Sequence, residues 1–165
     1  MPILDINTLE FFSRSPEQTR RVGMRLGALL QAGDVICLSG ELGSGKTTLV
    51  QGMTQGWGSL DPVASPTFVL VNEYRRPGGQ VLHHLDAYRL RNAWEGEDLD
   101  LDLMLESGPL VMEWPERIAG VLPPERLWVA MRWMADEHRG MVFSAHGPRY
   151  EWLLNELRRR MYGGV

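Results

Sequence analysis

Gly40-Glu41-Leu42-Gly43-Ser44-Gly45-Lys46-Thr47-Thr48 is the stretch whose reading decides the fold. It fits the spacing G-x-x-x-x-G-K-[S/T] without a mismatch. The apolar run Val35-Ile36-Cys37-Leu38 precedes it, and Leu49, Val50 and Met53 follow at helical spacing. The glycines therefore lie between a buried strand and a helix. Glycine lets the chain turn so that successive backbone N–H groups converge on one point, and a helix opening near Lys46 adds the positive end of its dipole there. Such a cradle suits phosphate groups. Glu41, Leu42, Gly43, Ser44, Gly45, Lys46, Thr47 and Thr48 are expected to wrap the phosphates of a nucleotide. Lys46 would reach the terminal ones as a point charge, and the Thr47 hydroxyl would ligate magnesium.

Working outward, 165 residues with 44% hydrophobic content suit one domain over residues 1–165, with a three-layer core and no room for a second domain. A net charge of -4 gives no broad basic surface, so tight binding of nucleic acid by this chain alone is not expected and any RNA role needs a partner. The single cysteine, Cys37, falls inside the apolar run. It reads as a small buried hydrophobe, without a disulfide framework, in a reducing compartment. The first basic residue is Arg14, no apolar leader follows the start, and no run approaches the ~18 residues of a membrane span. A soluble cytoplasmic protein without membrane contact is the expectation.

Residues Met1 to Phe12 mix Ile3, Leu4, Ile6, Leu9 and Phe11 with polar residues and are compatible with an edge strand or an arm packed on the body. Ser15-Pro16-Glu17-Gln18 opens a helix, with Ser15 as N-cap, Pro16 in first position and Gln18 placed for a capping box. Val22, Leu26, Leu29 and Leu30 form its buried stripe, and Gly33 is expected to end it. Gly56-Trp57-Gly58 closes the helix after the loop. Phe68 to Tyr74 and Gln80 to Leu85 read as a hairpin across Arg76-Pro77-Gly78-Gly79. Asn92 to Ser107 is acidic and leucine-rich, and reads as helical turns. Leu127, Val129, Met131 and Trp133 alternate along a strand that pairs with Met141 to Ala145 across a turn at Asp136 to Gly140. A last helix starts near Pro148, with Tyr150, Leu153, Leu154, Leu157 and Met161 inward and Arg158, Arg159 and Arg160 in its final turn, where cations suit the dipole.

A phosphate loop needs a carboxylate at the end of a neighbouring strand to hold magnesium directly or through water and to place the nucleophile. Two positions qualify. Glu113 ends Pro109-Leu110-Val111-Met112, the pattern of a strand buried on both faces. Asp86 ends a run interrupted by His83 and His84, and at strand spacing it shares a face with His84. Pattern favours Glu113. His84 reads first as a hydrogen-bonded structural histidine, and Trp114 as a core aromatic. Thr67, in Ser65-Pro66-Thr67, is either a strand start or a mobile threonine sensing the terminal phosphate. No residue has the look of a trans-acting arginine finger, although Arg89 or Arg117 could serve in cis, and residues Ser15 to Thr19, at the start of the first helix, could approach the base.

Several separate stretches together resemble one family, the bacterial ATPase TsaE, also called YjeE, of tRNA threonylcarbamoyladenosine biosynthesis. They are Gly40 to Thr48, Ser65-Pro66-Thr67-Phe68 through Asn72-Glu73-Tyr74, His84-Leu85-Asp86-Ala87-Tyr88-Arg89, Glu113-Trp114-Pro115-Glu116-Arg117, and Ala145-His146-Gly147. The loop alone is generic, whereas the ordered set is specific. The resemblance implies an ATPase that binds ATP and Mg2+ and works with the TsaB and TsaD proteins. It touches tRNA only indirectly, while another subunit installs the modification on adenosine 37 of tRNAs reading ANN codons. It further implies that Thr47 and Glu113 bind magnesium and that Asp86 and Thr67 serve hydrolysis. The run Asp98 to Leu103 departs from the family pattern, which bears on partner contacts and not on the nucleotide site.

The fold expected is α/β, a three-layer P-loop NTPase fold with a mixed parallel and antiparallel central sheet. Two rivals for the function are a small-molecule kinase and a non-enzymatic ATP-dependent docking switch. A kinase usually closes a basic lid over the phosphates, and the acidic Asn92 to Glu106 makes a poor one.

Overall fold

The computed structural model describes residues 6–63, 71–90 and 99–162. Val35–Ser39 forms strand β2, and its apolar run is buried on both faces because it lies at the centre of the sheet. Around it stand β1 (Thr8–Ser13), β3 (Val71–Arg75), β4 (Val81–Asp86), β5 (Leu110–Glu113), β6 (Arg126–Ala135) and β7 (His138–His146). The order is β1-β7-β6-β2-β5-β4-β3. β2 runs parallel to both β5 and β6, β4 runs parallel to β5, and the outer pairs are antiparallel. This is the mixed sheet expected from the sequence. Of the two readings of the N-terminal segment, edge strand or packed arm, the edge strand β1 is what forms.

Helices α1 (Pro16–Gly27), α2 (Lys46–Trp57) and α4 (Pro148–Tyr162) pack on one face, where Val22, Leu26, Leu49, Met53, Leu153 and Leu157 meet Leu38, Val111 and Phe143. On the other face, α3 (Leu101–Ser107) and the 3-10 helix Pro115–Val121 cover Leu85, Leu110 and Met112. Alternation along β5 sends Val111 to the first core and Leu110 and Met112 to the second. Glu113 is thereby aimed to the same side as Val111, the side of α2.

α1 opens as expected, with Ser15 Oγ accepting from Gln18 N at 3.2 Å, while Gln18 Oε1 accepts from Arg14 N at 2.8 Å, one residue outside the usual capping box. It ends at Gly27, short of the expected Gly33. Leu29 N and Leu30 N instead donate to Leu26 and Gly27 carbonyls in tightened turns, so both leucines stay buried and prolong the apolar stripe beyond the helix. The β6–β7 hairpin is also tighter than the sequence suggests. Ala135 pairs with His138, leaving Asp136 and Glu137 as the turn, because Asp136 takes a left-handed φ of 48° and the ladder runs on through Gly140.

What the sequence reading overlooked is how α2 is seated. Gly23 and Gly27 of α1 face Gly52 and Gly56 of α2 so closely that a Cβ at Gly27 would lie 2.0 Å from the Met53 carbonyl oxygen. One at Gly52 would lie 2.1 Å from that of Arg20. The two helices touch backbone to backbone, which only glycine permits. This contact fixes the helix that carries Lys46 at its first turn.

Among the described residues of the acidic stretch Asn92 to Ser107, α3 supplies helix from Leu101, started by Asp100 Oδ1 accepting from Leu103 N at 3.2 Å. Residues 91–98, and the segment holding Ser65, Pro66, Thr67 and Phe68, lie outside the described residues. In α4 the expected inward residues Tyr150, Leu153, Leu154 and Leu157 are buried, with Met161 packed against them. Arg159 and Arg160 sit in the last turn, whereas Arg158 donates to the Thr8 carbonyl at 2.7 Å and ties the helix to β1. Among the described residues no helix is long and apolar enough to cross a membrane.

Candidate functional site

β2 delivers the chain at Ser39 into the glycine loop, and α2 starts at Lys46 with Gly45 as its cap. Gly40, Gly43 and Gly45 have φ of 148°, 81° and 101°. At Gly40 a Cβ would lie 2.4 Å from the Met131 carbonyl oxygen and 2.8 Å from Ser44 Oγ, so a side chain there is excluded by contact as well as conformation. Ser44 is buried, and its hydroxyl has no hydrogen-bond partner among the described residues. Lys46, 6% exposed, folds its ammonium back to donate to the Gly40 carbonyl. Burial lowers its pKa, opposed by the nearby carboxylates Glu113, Asp86 and Glu116. An open cleft of about 270 Å³ runs along Leu42 to Thr48 and is completed by Asp86, Glu113, Trp114 and Arg139.

The two carboxylates reach this cleft by strand register. β4 and β5 are parallel with Asp86 opposite Glu113, and β2 sets Leu38 opposite Glu113, so both acids stand at the strand ends next to the loop. Glu113 is 4% exposed, and its Oε2 lies 2.5 Å from Nε2 of the fully buried His84. His84 Nδ1 in turn lies 3.0 Å from the Tyr74 hydroxyl. His84 is thus hydrogen-bonded as expected, and its partner is a site carboxylate. Asp86 is less enclosed; it accepts from Tyr88 N at 2.9 Å, and burial raises its carboxyl pKa against the pull of that hydrogen bond.

Trp114 packs against the second core, as its apolar neighbourhood suggests, but at its edge. It is half-buried with a left-handed φ of 57°, which turns the chain out of β5. Its ring packs with Tyr88 at 4.9 Å between centroids and lies 4.1 Å from Lys46 Nζ. No periodicity in the sequence signals that turn. The arginines differ too. Arg117 sits over the Tyr88 ring at 5.1 Å, and neither it nor Arg89 lines the cleft, whereas Arg139 does. A signal for Arg139 exists: the inward row of β7 runs Ala145, Phe143, Met141, Arg139, a charge at the place where the core ends. Ser15 to Thr19 cap α1 and do not line the cleft, while Glu41 is exposed at the loop's outer turn, its carbonyl accepting from Ser44 N at 3.1 Å. Of the expected site residues, Lys46, Thr47, Asp86 and Glu113 therefore meet at one cleft, and Thr67 lies outside the described residues.

A glycine loop joining a central strand to a helix, on a mixed sheet layered between helices, defines a P-loop NTPase fold. The crystal structure of YdiB from Bacillus subtilis superposes with a TM-score of 0.78 at 34% identity, over 93% of this chain and 96% of that one. The family model described as threonylcarbamoyl adenosine biosynthesis protein TsaE matches residues 13–141, and this chain belongs to the TsaE family. The relative from Bacillus subtilis (strain 168), named tRNA threonylcarbamoyladenosine biosynthesis protein TsaE, is 39% identical over 92% of this chain and 94% of its own length. The relative of the same name from Streptomyces coelicolor is 44% identical over 79% of this chain and 93% of its own length.

Proposed function

We propose that this chain is a cytoplasmic Mg-ATP-dependent ATPase of one domain, an accessory subunit of the machinery that forms N6-threonylcarbamoyladenosine at position 37 of tRNAs reading ANN codons. The observation that carries the reading is the register that sets Asp86 beside Glu113 at the mouth of the glycine loop, facing Lys46 and Thr47. The residues present suit a bound nucleotide. The buried Ser44 hydroxyl lacks a partner among the described residues, and the Lys46 ammonium rests on a backbone carbonyl that a phosphate oxygen, as the stronger acceptor, would displace.

In this reading the backbone N–H groups of Leu42 to Thr48 hold the phosphates, and Lys46 swings from Gly40 to the terminal ones. Thr47 and Glu113 would hold magnesium, whose positive charge would offset the negative charge that builds on the phosphate oxygens. Among the described residues no three His, Cys, Asp or Glu side chains cluster tightly enough to hold a metal alone, which agrees with an ion shared between protein and phosphates. Asp86, more open and with its pKa raised, would orient the attacking water or accept a proton from it, and the likeness to the family gives Thr67 a part in the same hydrolysis. TsaB and TsaD are the proposed partners. The net charge of -4 supports contact with tRNA only through them.

The test is ATP hydrolysis by the purified chain, alone and with TsaB, TsaD and tRNA of the same organism, for wild type and Glu113→Ala. Partner-stimulated turnover that the variant loses supports both the role and the metal assignment. Phosphate transfer to a small acceptor would instead favour a kinase. ATP-dependent docking without turnover would favour a switch.

A further inference from the structure

We infer that His84, braced by Tyr74, is a positioning residue that fixes the Glu113 carboxylate for a metal-bound nucleotide. This rests on the reading above in which Glu113 is a magnesium ligand, and adds what holds that ligand still. The three side chains cross the sheet diagonally towards the loop. Tyr74 stands opposite Leu82, two residues before His84, and His84 stands opposite Val111, two residues before Glu113. Diagonal neighbours on one face of a sheet are within reach of aromatic and long side chains. The Tyr74 and His84 rings are 5.8 Å apart between centroids, and His84 meets the carboxylate at the strand end.

The run of hydrogen bonds has one direction. A carboxylate only accepts, so the hydrogen in the 2.5 Å contact belongs to His84 Nε2. Nδ1 is then the acceptor of the ring, and the Tyr74 hydroxyl donates to it at 3.0 Å. Both ring nitrogens are thus satisfied in a side chain wholly shut away from water. Glu113 Oε2 is engaged, which leaves Oε1 to the cleft that Glu113 lines. A glutamate turns about three side-chain bonds, and a ligand that must first stop turning binds a metal more weakly. Hydrogen bonding of a ligating carboxylate by an outer partner removes that cost. Asp86, opposite Glu113 in the register, takes its hydrogen bond from Tyr88 N, two residues along its own chain. A braced acid therefore stands beside a looser one, which suits a metal ligand next to a group that handles water.

The experiment measures binding of a non-hydrolysable ATP analogue by titration calorimetry, once with Mg2+ and once in EDTA, with thermal melts to verify folding. The ratio of the two affinities reads the contribution of the metal. His84→Ala is expected to lower that ratio by about tenfold or more, the usual cost of removing an outer partner of a metal ligand, while the affinity in EDTA holds. His84→Gln, whose amide can place an N–H where Nε2 stands, recovers part of the ratio. Tyr74→Phe lowers it by roughly fivefold, the worth of one neutral hydrogen bond. Because His84 acts through Glu113, adding His84→Ala to Glu113→Ala changes the ratio no further. Should His84→Ala fail to fold, His84→Gln and Tyr74→Phe carry the same comparison. A fall of both affinities by one factor would mean that His84 only supports the fold, and an unchanged ratio would mean that Glu113 needs no brace; either result overturns the inference. Glu113→Ala separates the two failures. If it lowers the ratio where the His84 and Tyr74 variants do not, the inference alone falls, and if it leaves the ratio at the wild-type value, the magnesium assignment falls with it.

Discussion

His84 Nε2 lies 2.5 Å from Glu113 Oε2, with both side chains shut away from solvent. A carboxylate at 4% exposure needs compensating hydrogen bonds, and His84, held from its other nitrogen by the Tyr74 hydroxyl, is the side-chain partner the structure gives it. The contact links three strands, since Tyr74, His84 and Glu113 belong to β3, β4 and β5. Replacing His84 by Ala is expected to leave the buried acid without that partner and to cost roughly 3–5 kcal/mol in urea unfolding. Combined with Glu113→Gln, the double variant should be less unstable than the sum of the singles by at least about 1 kcal/mol. Additivity of the two would mean that the contact is not formed in solution.

The backbone contact between α1 and α2 makes its own forecast. A methyl group at Gly27 has 2.0 Å to the Met53 oxygen, so Gly27→Ala must push α2 away from α1. Overpacking of this kind costs about 1–3 kcal/mol or more. Because α2 begins at the loop, the same variant should also weaken ATP binding. Gly33→Ala is the control: its φ of 93° strains any side chain, but nothing lies within 4 Å of the added carbon, so nucleotide affinity should hold. Equal denaturation midpoints for Gly27→Ala and wild type would contradict the packing described.

How far the sequence discloses this molecule follows from the kind of signal each part leaves. The strand–loop–helix unit at Val35 to Met53 is legible because a buried central strand is apolar throughout and the loop demands glycine at set positions. Glu113 is legible because a strand end beside such a loop is where an acid is useful. The end of α1 is not, since Leu29 and Leu30 stay buried after the helix has stopped and the apolar period runs on unbroken. Trp114 and the paired glycines are not either. A left-handed turn at a bulky residue and a helix–helix approach both depend on what arrives from elsewhere in the chain, and neither alters the local pattern. Arg139 is far from every motif and reaches the cleft only because β7 lies two strands from β2.

Trp114 combines an unfavourable backbone conformation with a contact to the loop lysine. A bulky residue at φ 57° carries strain on the order of 1–3 kcal/mol, which glycine would not. Trp114→Gly is therefore expected to melt at or above Trp114→Ala, a reversal of the usual order. Both variants lose the ring beside Lys46, an interaction of about 0.5–2 kcal/mol, so both should bind ATP more weakly than Trp114→Phe. If Trp114→Gly proves less stable than Trp114→Ala, the left-handed turn is not the conformation in solution.

Tyr150 gives the clearest dependence on pH. Its hydroxyl accepts from Val35 N at 2.8 Å, and burial pushes the phenol from its ordinary 10.0 up to about 12, with that hydrogen bond pulling the other way. A group whose folded pKa lies above its unfolded one lends stability fully below the unfolded pKa and loses it as pH rises through the folded value. The loss should therefore begin near pH 10 and be complete above about 12. Cys37, raised from 9.0 to about 12 by burial, adds a loss of the same sign, while Lys46, its pKa lowered, gains stability as pH rises towards 10.5. Comparison with Tyr150→Phe separates the phenol from both. At about pH 8 the variant leaves the buried Val35 N–H without its acceptor and should be less stable by about 1–3 kcal/mol. Above pH 10 the wild type alone weakens through this group, so the two unfolding curves should converge. Phenolate absorbance that accounts for Tyr150 with a midpoint near 10 in the folded protein would show that its hydroxyl is open to water, and the prediction would fail.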